Sequence, residues 1–137
     1  MKDHNEIATM QDIAIALKQN RPGEFAKAVV AIANAQINIE GFSETDGKFH
    51  CVTADPKGAK KALESAGFSV TESDVLVFPA EDKPGYLAKV LRGIAEQEVN
   101  VIASYVLTGD RIALGVDNPA RGKQTLQEFT PEAAHRR

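Results

Sequence analysis

Residues 12–55 and 74–117 carry one pattern written twice. A shift of 62 positions lays Asp12 on Asp74, Pro22 on Pro84, Gly23 on Gly85, Ala26 on Ala88, Lys27 on Lys89, Ile32 on Ile94, Ala33 on Ala95, Asn38 on Asn100, Gly47 on Gly109 and Asp55 on Asp117, with no gap. Conservative pairs fill the intervals, among them Asn20 with Asp82, Arg21 with Lys83, Phe25 with Leu87 and Ile37 with Val99. Two unrelated amphipathic helices can share a few matches. They do not hold turn, cap and strand residues in one register, so the chain reads as a duplicated structural unit.

Each copy opens on a strand, around Ile13, Ile15 and Leu17 in the first and Val75, Val77 and Phe78 in the second. A Pro-Gly loop follows, then apolar residues at i, i+4 and i+7 (Phe25, Val29, Ile32; Leu87, Leu91, Ile94), the stripe of a helix packing one face on a core. Ile37-Asn38-Ile39 and Val99-Asn100-Val101 switch to period two and predict second strands. The turn pairs Asp46-Gly47 and Gly109-Asp110 lead into third strands. Asp55-Pro56 and Asp117-Asn118-Pro119 supply a capping side chain and a pre-set φ for second helices. Gly67 suits a left-handed stop, and Phe68-Ser69-Val70-Thr71 predicts a fourth strand in the first copy. In the second copy Pro131 opposes a strand at the corresponding place, so its last strand is lacking or shortened. The sheet edge this leaves open can pair with a second copy in a homodimer or be covered by the segment Ile7-Ala8-Thr9-Met10.

The expected class is therefore α+β: two ferredoxin-like βαββαβ modules with antiparallel sheets. The divisions are an N-terminal extension at 1–11, modules at 12–73 and 74–129, and a tail at 130–137. With 137 residues, 43% of them hydrophobic, the cores need neither disulfide nor metal. Cys51 is the one cysteine, no paired metal-ligand spacing occurs, and no apolar run nears the ~20 residues that cross a bilayer. A cytoplasmic protein without membrane contact is expected. A formal charge of −3 disfavours nucleic acid as a partner. RNA binding on the sheet, which related folds perform, needs more exposed aromatic residues than Phe49 and Tyr105.

The two loops are the candidate sites. The first amides of a helix lack intrahelical partners and sit at the positive end of its dipole, so Gly23 and Gly85 mark natural anion sites. Arg21 or Lys83 adds a charge-assisted bond to a carboxylate, while Asn20 or Asp82 offers an acceptor to an ammonium. Both ends of an α-amino acid are accommodated, and proline limits the loop entropy lost on binding. The plain alternative is that Pro-Gly after Asn or Asp only starts a helix, with proline at its first position. Asn38 and Asn100 likewise serve as candidate ligand groups or as partners for backbone at a sheet edge.

Elsewhere the chemistry is sparse. His50 and Cys51 are adjacent on a strand and point to opposite faces, so they cannot jointly hold a metal or form a nucleophile pair. His4 and His135 lie near the ends of the sequence, and Lys57, Lys60 and Lys61 mark a solvated helix face. No Ser-His-Asp set, phosphate loop or dinucleotide fingerprint is found; an enzyme is not expected, nor a cofactor or catalytic metal.

The strand, the loops Asn20-Arg21-Pro22-Gly23-Glu24-Phe25 and Asp82-Lys83-Pro84-Gly85-Tyr86-Leu87, and the later Gln36-Ile37-Asn38-Ile39 and Glu98-Val99-Asn100-Val101 together resemble the ACT-domain family, specifically small proteins of two tandem ACT modules. The resemblance spans roughly residues 12 to 128. It implies a regulatory module that binds a small molecule, usually an amino acid, at the loop between first strand and first helix. It also implies side-by-side association, here a homodimer, with the loop of one module near the second strand of its neighbour. Carried onto this sequence, the ligand-binding residues are Asn20, Arg21, Pro22, Gly23, Glu24 and Asn38 in the first copy and Asp82, Lys83, Pro84, Gly85, Tyr86 and Asn100 in the second. Phe25, Tyr86 and Tyr105 are candidates for side-chain selectivity. The competing function is a structural module that oligomerises through sheet edges with no ligand.

Overall fold

The structure, a computed structural model, describes residues 6–17 and 21–129. Its chain divides into two compact units, Gln11–Ser73 and residues 1–10 together with Asp74–Arg137. They are called the first and second unit below. Ten elements follow in order: β1 (Ala8–Ala16), α1 (Glu24–Asn34), β2 (Ile39–Thr45), β3 (Lys48–Thr53), α2 (Pro56–Ser65), β4 (Val70–Pro79), α3 (Tyr86–Glu96), β5 (Val101–Leu107), β6 (Arg111–Val116) and α4 (Pro119–Leu126).

In the first unit β3 is flanked antiparallel by β1, with Ile13 opposite Cys51 and Ile15 opposite Phe49, and by β2, with Phe42 opposite Cys51. Alternation sends Ile13, Ile15, Phe49 and Cys51 to one face, where Ala28 and Ile32 of α1 and Leu63 of α2 meet them. Cutting Ile32 back to alanine removes packing worth about 2–5 kcal/mol at such a site. The second unit repeats the plan. There β6 lies between β4 and β5, and Leu76, Phe78, Leu114 and Val116 meet Val90 and Ile94 of α3 and Leu126 of α4.

Local chemistry explains the helix boundaries. Asp55 and Asn118 cap α2 and α4, accepting from the amides of Gly58 at 3.0 Å and Arg121 at 3.2 Å, and Pro56 and Pro119 follow them. The starts of α1 and α3 are built differently. Proline stands two residues before the first helical residue rather than at it, and the N-cap is Gly23 (φ 90°) or Gly85 (φ 88°), without a side-chain hydrogen bond. The amide of Glu24 returns to the Arg21 carbonyl at 3.2 Å, and that of Tyr86 to the Lys83 carbonyl at 3.3 Å. Proline at i+1 and a positive-φ glycine at i+2 closed by that bond are the marks of a type II turn. The helix-start expectation is corrected accordingly: Pro22 and Pro84 belong to turns, not to first helical positions.

Three other expectations need correction. The gapless register ends at the second hairpin. Two residues join Thr45 to its partner Lys48, but three join Leu107 to Arg111, so β6 and α4 follow β3 and α2 at 63 positions, and Asn118 rather than Asp117 matches Asp55. The matching bulges between Ile39 and Gly41 and between Val101 and Ala103 precede this insertion and keep the shift of 62. Next, the fourth strand of the first copy and the first strand of the second are one strand, β4, and Phe68 and Ser69 lie outside it. Finally, Asn38 and Asn100 are exposed and each precedes its strand by one residue, because β2 begins at Ile39 and β5 at Val101.

Among the described residues no strand follows α4. The second unit instead includes the segment ahead of Gln11: β1 starts at Ala8, and Ile7 packs against the second unit's core. Residues 1–5 and 130–137 of the expected extension and tail lie outside the described residues.

Candidate functional site

Each unit has a cleft beside the glycine-capped helix. In the first unit it is a depression of about 260 Å³ lined by Leu17, Arg21, Pro22, Glu24, Phe25, Glu44 and Gly47. In the second it is about 360 Å³, and its lining includes Asp82, Lys83, Tyr86, Leu87, Val106 and Asp110. Arg21 and Lys83, Glu24 and Tyr86, Phe25 and Leu87, and Glu44 and Val106 are all pairs in the 62-residue register. The same place in the fold is thus hollow twice.

At each cleft the hairpin turn is tied to the end of the unit's first strand. The Leu17 amide donates to the Gly47 carbonyl at 2.6 Å, and the Ala80 amide donates to the Asp110 carbonyl at 2.9 Å. Glu44 Oε2 accepts from the Gly47 amide at 3.0 Å, which fixes one carboxylate at the rim of the first cleft. Its wall is aromatic: the Phe25 ring lies 5.1 Å from that of Phe49 and 6.3 Å from that of Phe42. Leu17 and Phe25 therefore offer an apolar surface beside one guanidinium and two carboxylates.

The second cleft carries more charged groups of both signs, and several of them are tied. Lys83 Nζ pairs with Glu81 Oε1 at 2.7 Å, so part of its charge is already answered. Arg111 is buried, and its Nε donates to the Thr108 carbonyl at 2.9 Å. Tyr86 lies on the wall with its hydroxyl donating to the carbonyls of Phe129 at 2.9 Å and Pro79 at 3.2 Å. Burial, with the nearby Glu81 charge adding to it, pushes this phenol up to about 12, so it remains a donor at neutral pH.

Of the sequence candidates, Arg21, Pro22 and Glu24 share the first cleft, and Asp82, Lys83 and Tyr86 the second. Gly23 and Gly85 head the adjacent helices, and Pro84 is exposed beside its cleft. Asn20 lies outside the described residues. Asn38 and Asn100 are not among the lining residues; the Asn100 amide donates to Asp117 Oδ1 at 2.9 Å, and its carbonyl accepts from the Asp117 amide at 3.1 Å. Tyr105 is buried and lines neither cleft. Leu17, Glu44, Gly47, Val106 and Asp110 escaped sequence reasoning. The signal for them was the pairing of Gly47 with Gly109, which places a turn in the repeat without saying that it folds back beside the loop. No group of three or more His, Cys, Asp or Glu among the described residues is placed to hold a metal. No helix among them is long and apolar enough to cross a membrane.

Two α/β units with antiparallel strands, related by a repeat and each with a cleft at its first loop, define a tandem ferredoxin-like protein. The chain belongs to the ACT domain pair family, whose model matches residues 9–130. Solved structures agree in fold. Protein BT0572 from Bacteroides thetaiotaomicron superposes with a TM-score of 0.71 at 23% identity, covering 92% of this chain and 90% of that one. The regulatory subunits of aspartate kinase from Thermus flavus and Thermus thermophilus give TM-scores of 0.66 and 0.64 at 17% and 16% identity. They cover 97% and 93% of this chain, and 99% of each of those chains. A search of curated proteins gives no match.

Proposed function

We propose that this chain is a regulatory protein of the cytoplasm that binds a free amino acid in one or both clefts and responds by changing its association, with itself as a homodimer or with a partner. The carrying observation is the repetition of a cleft beside a helix start whose N-cap is a glycine and whose amides, among the described residues, have no side-chain cap, while α2 and α4 are side-chain capped. A ligand carboxylate faces those amides together with Arg21 or Lys83, and its ammonium faces Glu24 and Glu44 in the first cleft or Asp82 and Asp110 in the second. The likeness to regulatory subunits rather than catalytic ones supports a role without chemistry of its own. In this reading the units keep the βαββαβ plan and residues 8–10 take the place of the second unit's last strand, which the grouping of that segment with the second unit and the packing of Ile7 on its core support.

The test is thermal unfolding with each common amino acid in turn. A ligand at 100 times its Kd stabilises the folded state by about 2.7 kcal/mol, which moves the midpoint by several degrees. A panel with no shift rejects the reading.

One observation favours the competing association module. Ile102 and Val106 of β5 are 68% and 70% exposed, and Leu87 of α3 is 47% exposed. An apolar strip of this kind invites a protein surface with or without a ligand. A concentration-dependent mass together with a flat ligand panel decides for it.

A further inference from the structure

Two breaks in the repeat meet at one place in the second unit. Tyr86 stands where the first unit has Glu24, and Gly93 where it has Ala31. Gly93 is buried on α3, and the ring of Phe129 occupies the space its side chain would take: a Cβ there would lie 2.5 Å from the ring's Cε2. The Tyr86 hydroxyl reaches the carbonyl of this same Phe129, and also that of Pro79, the last residue of β4 and the root of the cleft loop. A phenol has one proton to give, so the two carbonyls share it. One buried side chain therefore touches the cleft, the base of its loop and the segment that leaves α4.

We propose that Tyr86 is a latch that couples occupancy of the second unit's cleft to the anchoring of the chain at Phe129, making the segment beyond α4 the reporter of that cleft. This rests on the cleft being the ligand site proposed above. Whatever lies on the Tyr86 ring holds it in the orientation from which the hydroxyl grips Phe129. By linkage, a firmer grip on Phe129 presents the ring to the cleft. Among the described residues the first unit has no such device. Glu24 is a carboxylate with no proton to donate to a carbonyl, and Ala31 already carries the methyl group that the aromatic seat at Gly93 excludes.

The test places a probe in the cleft. In a Val106→Cys protein the introduced thiol is labelled with pyrene maleimide; Cys51 is buried, with its thiol pushed up to about 12, and stays unreactive. Hydrogen exchange is read at the amides of Gln127, Glu128 and Phe129, which are bonded to the carbonyls of Lys123, Thr125 and Leu126. Labelling slows these amides about fivefold when Tyr86 is present, the equivalent of one hydrogen bond's net worth, and leaves them unchanged in Tyr86→Phe. Equal slowing in both proteins, or none with Tyr86 present, overturns the latch. Should Tyr86→Phe fail to fold, Gly93→Ala reads the coupling in reverse. It displaces the Phe129 ring, and the pyrene emission in the cleft shifts while far-UV circular dichroism holds; unchanged emission overturns the latch. No amino acid enters either arm, so a latch that fails and a cleft that binds nothing are told apart.

Discussion

Gly23 and Gly85 shape their clefts through backbone conformation alone. A Cβ built on either meets nothing within 4 Å, so crowding is not what demands glycine. The demand comes from φ of +90° and +88°, where an L side chain costs roughly 1–2 kcal/mol. Gly85→Val therefore keeps its far-UV circular dichroism but distorts the turn that aims the helix start, and it is expected to lose any ligand-induced rise in the unfolding midpoint that belongs to the second cleft. A retained shift removes Gly85 from the site.

Cys51 gives a second residue-scale prediction. Burial, reinforced by the charge of Asp12, raises its thiol from 9.0 to about 12. Its folded-state value exceeds its unfolded one, so the stabilisation is complete below pH 9 and is lost as pH rises from 9 toward 12. Cys51→Ala is expected to flatten this part of the stability profile, measured as urea midpoints from pH 8 to 10.5. An unchanged slope refutes the assignment. At this scale the sequence showed which residue types the loops hold, since Pro-Gly has few conformational readings. It did not show that Asn38 and Asn100 precede their strands, because a boundary displaced by one residue moves a side chain out of the strand alternation.

At the scale of elements, the contrast between the helix pairs is the informative feature. Asp55 accepts from the Gly58 amide, so Asp55→Ala is expected to cost about 1 kcal/mol, read as a lower urea midpoint with unchanged m-value. The N-cap of α1, Gly23, has no side-chain cap to remove. A loss much below half that size means α2 is held by packing alone. Period and capping signals made all four helices legible, since Ile32 and Ile94, or Pro56 and Pro119, speak through local rules. The strands were harder. Val70–Pro79 looks like two segments because Glu72, Ser73 and Asp74 interrupt the apolar run, yet exposed polar residues are compatible with a continuous strand. The one-residue insertion beside Gly109 was hidden for a similar reason: Asp117 matches Asp55 in type, while Asn118 performs its role.

For the whole molecule, association is the property most open to test. Glu40 and Glu44 of β2 have as repeat partners Ile102 and Val106 of β5, so one strand carries charge where its counterpart carries exposed apolar side chains. Ile102→Lys with Val106→Lys is expected to leave the fold intact and lower the average mass in sedimentation equilibrium. Glu40→Lys with Glu44→Lys serves as the control at equivalent positions. Equal effects of the two pairs, or none, remove β5 from the contact surface. Such a surface was only half legible beforehand, because an alternating strand announces two faces but not what covers each.

The membership of residues 1–10 in the second unit bears on how the polypeptide matures during synthesis. All 63 residues of the first unit, Gln11 to Ser73, leave the ribosome between that opening stretch and Asp74. The first unit can settle while translation continues. The second has to wait for its distant remainder, and meanwhile Ile7 and the start of β1 are without the core they will join. A bulky fusion ahead of Ile7 would thus burden the half of the protein whose other residues are translated last.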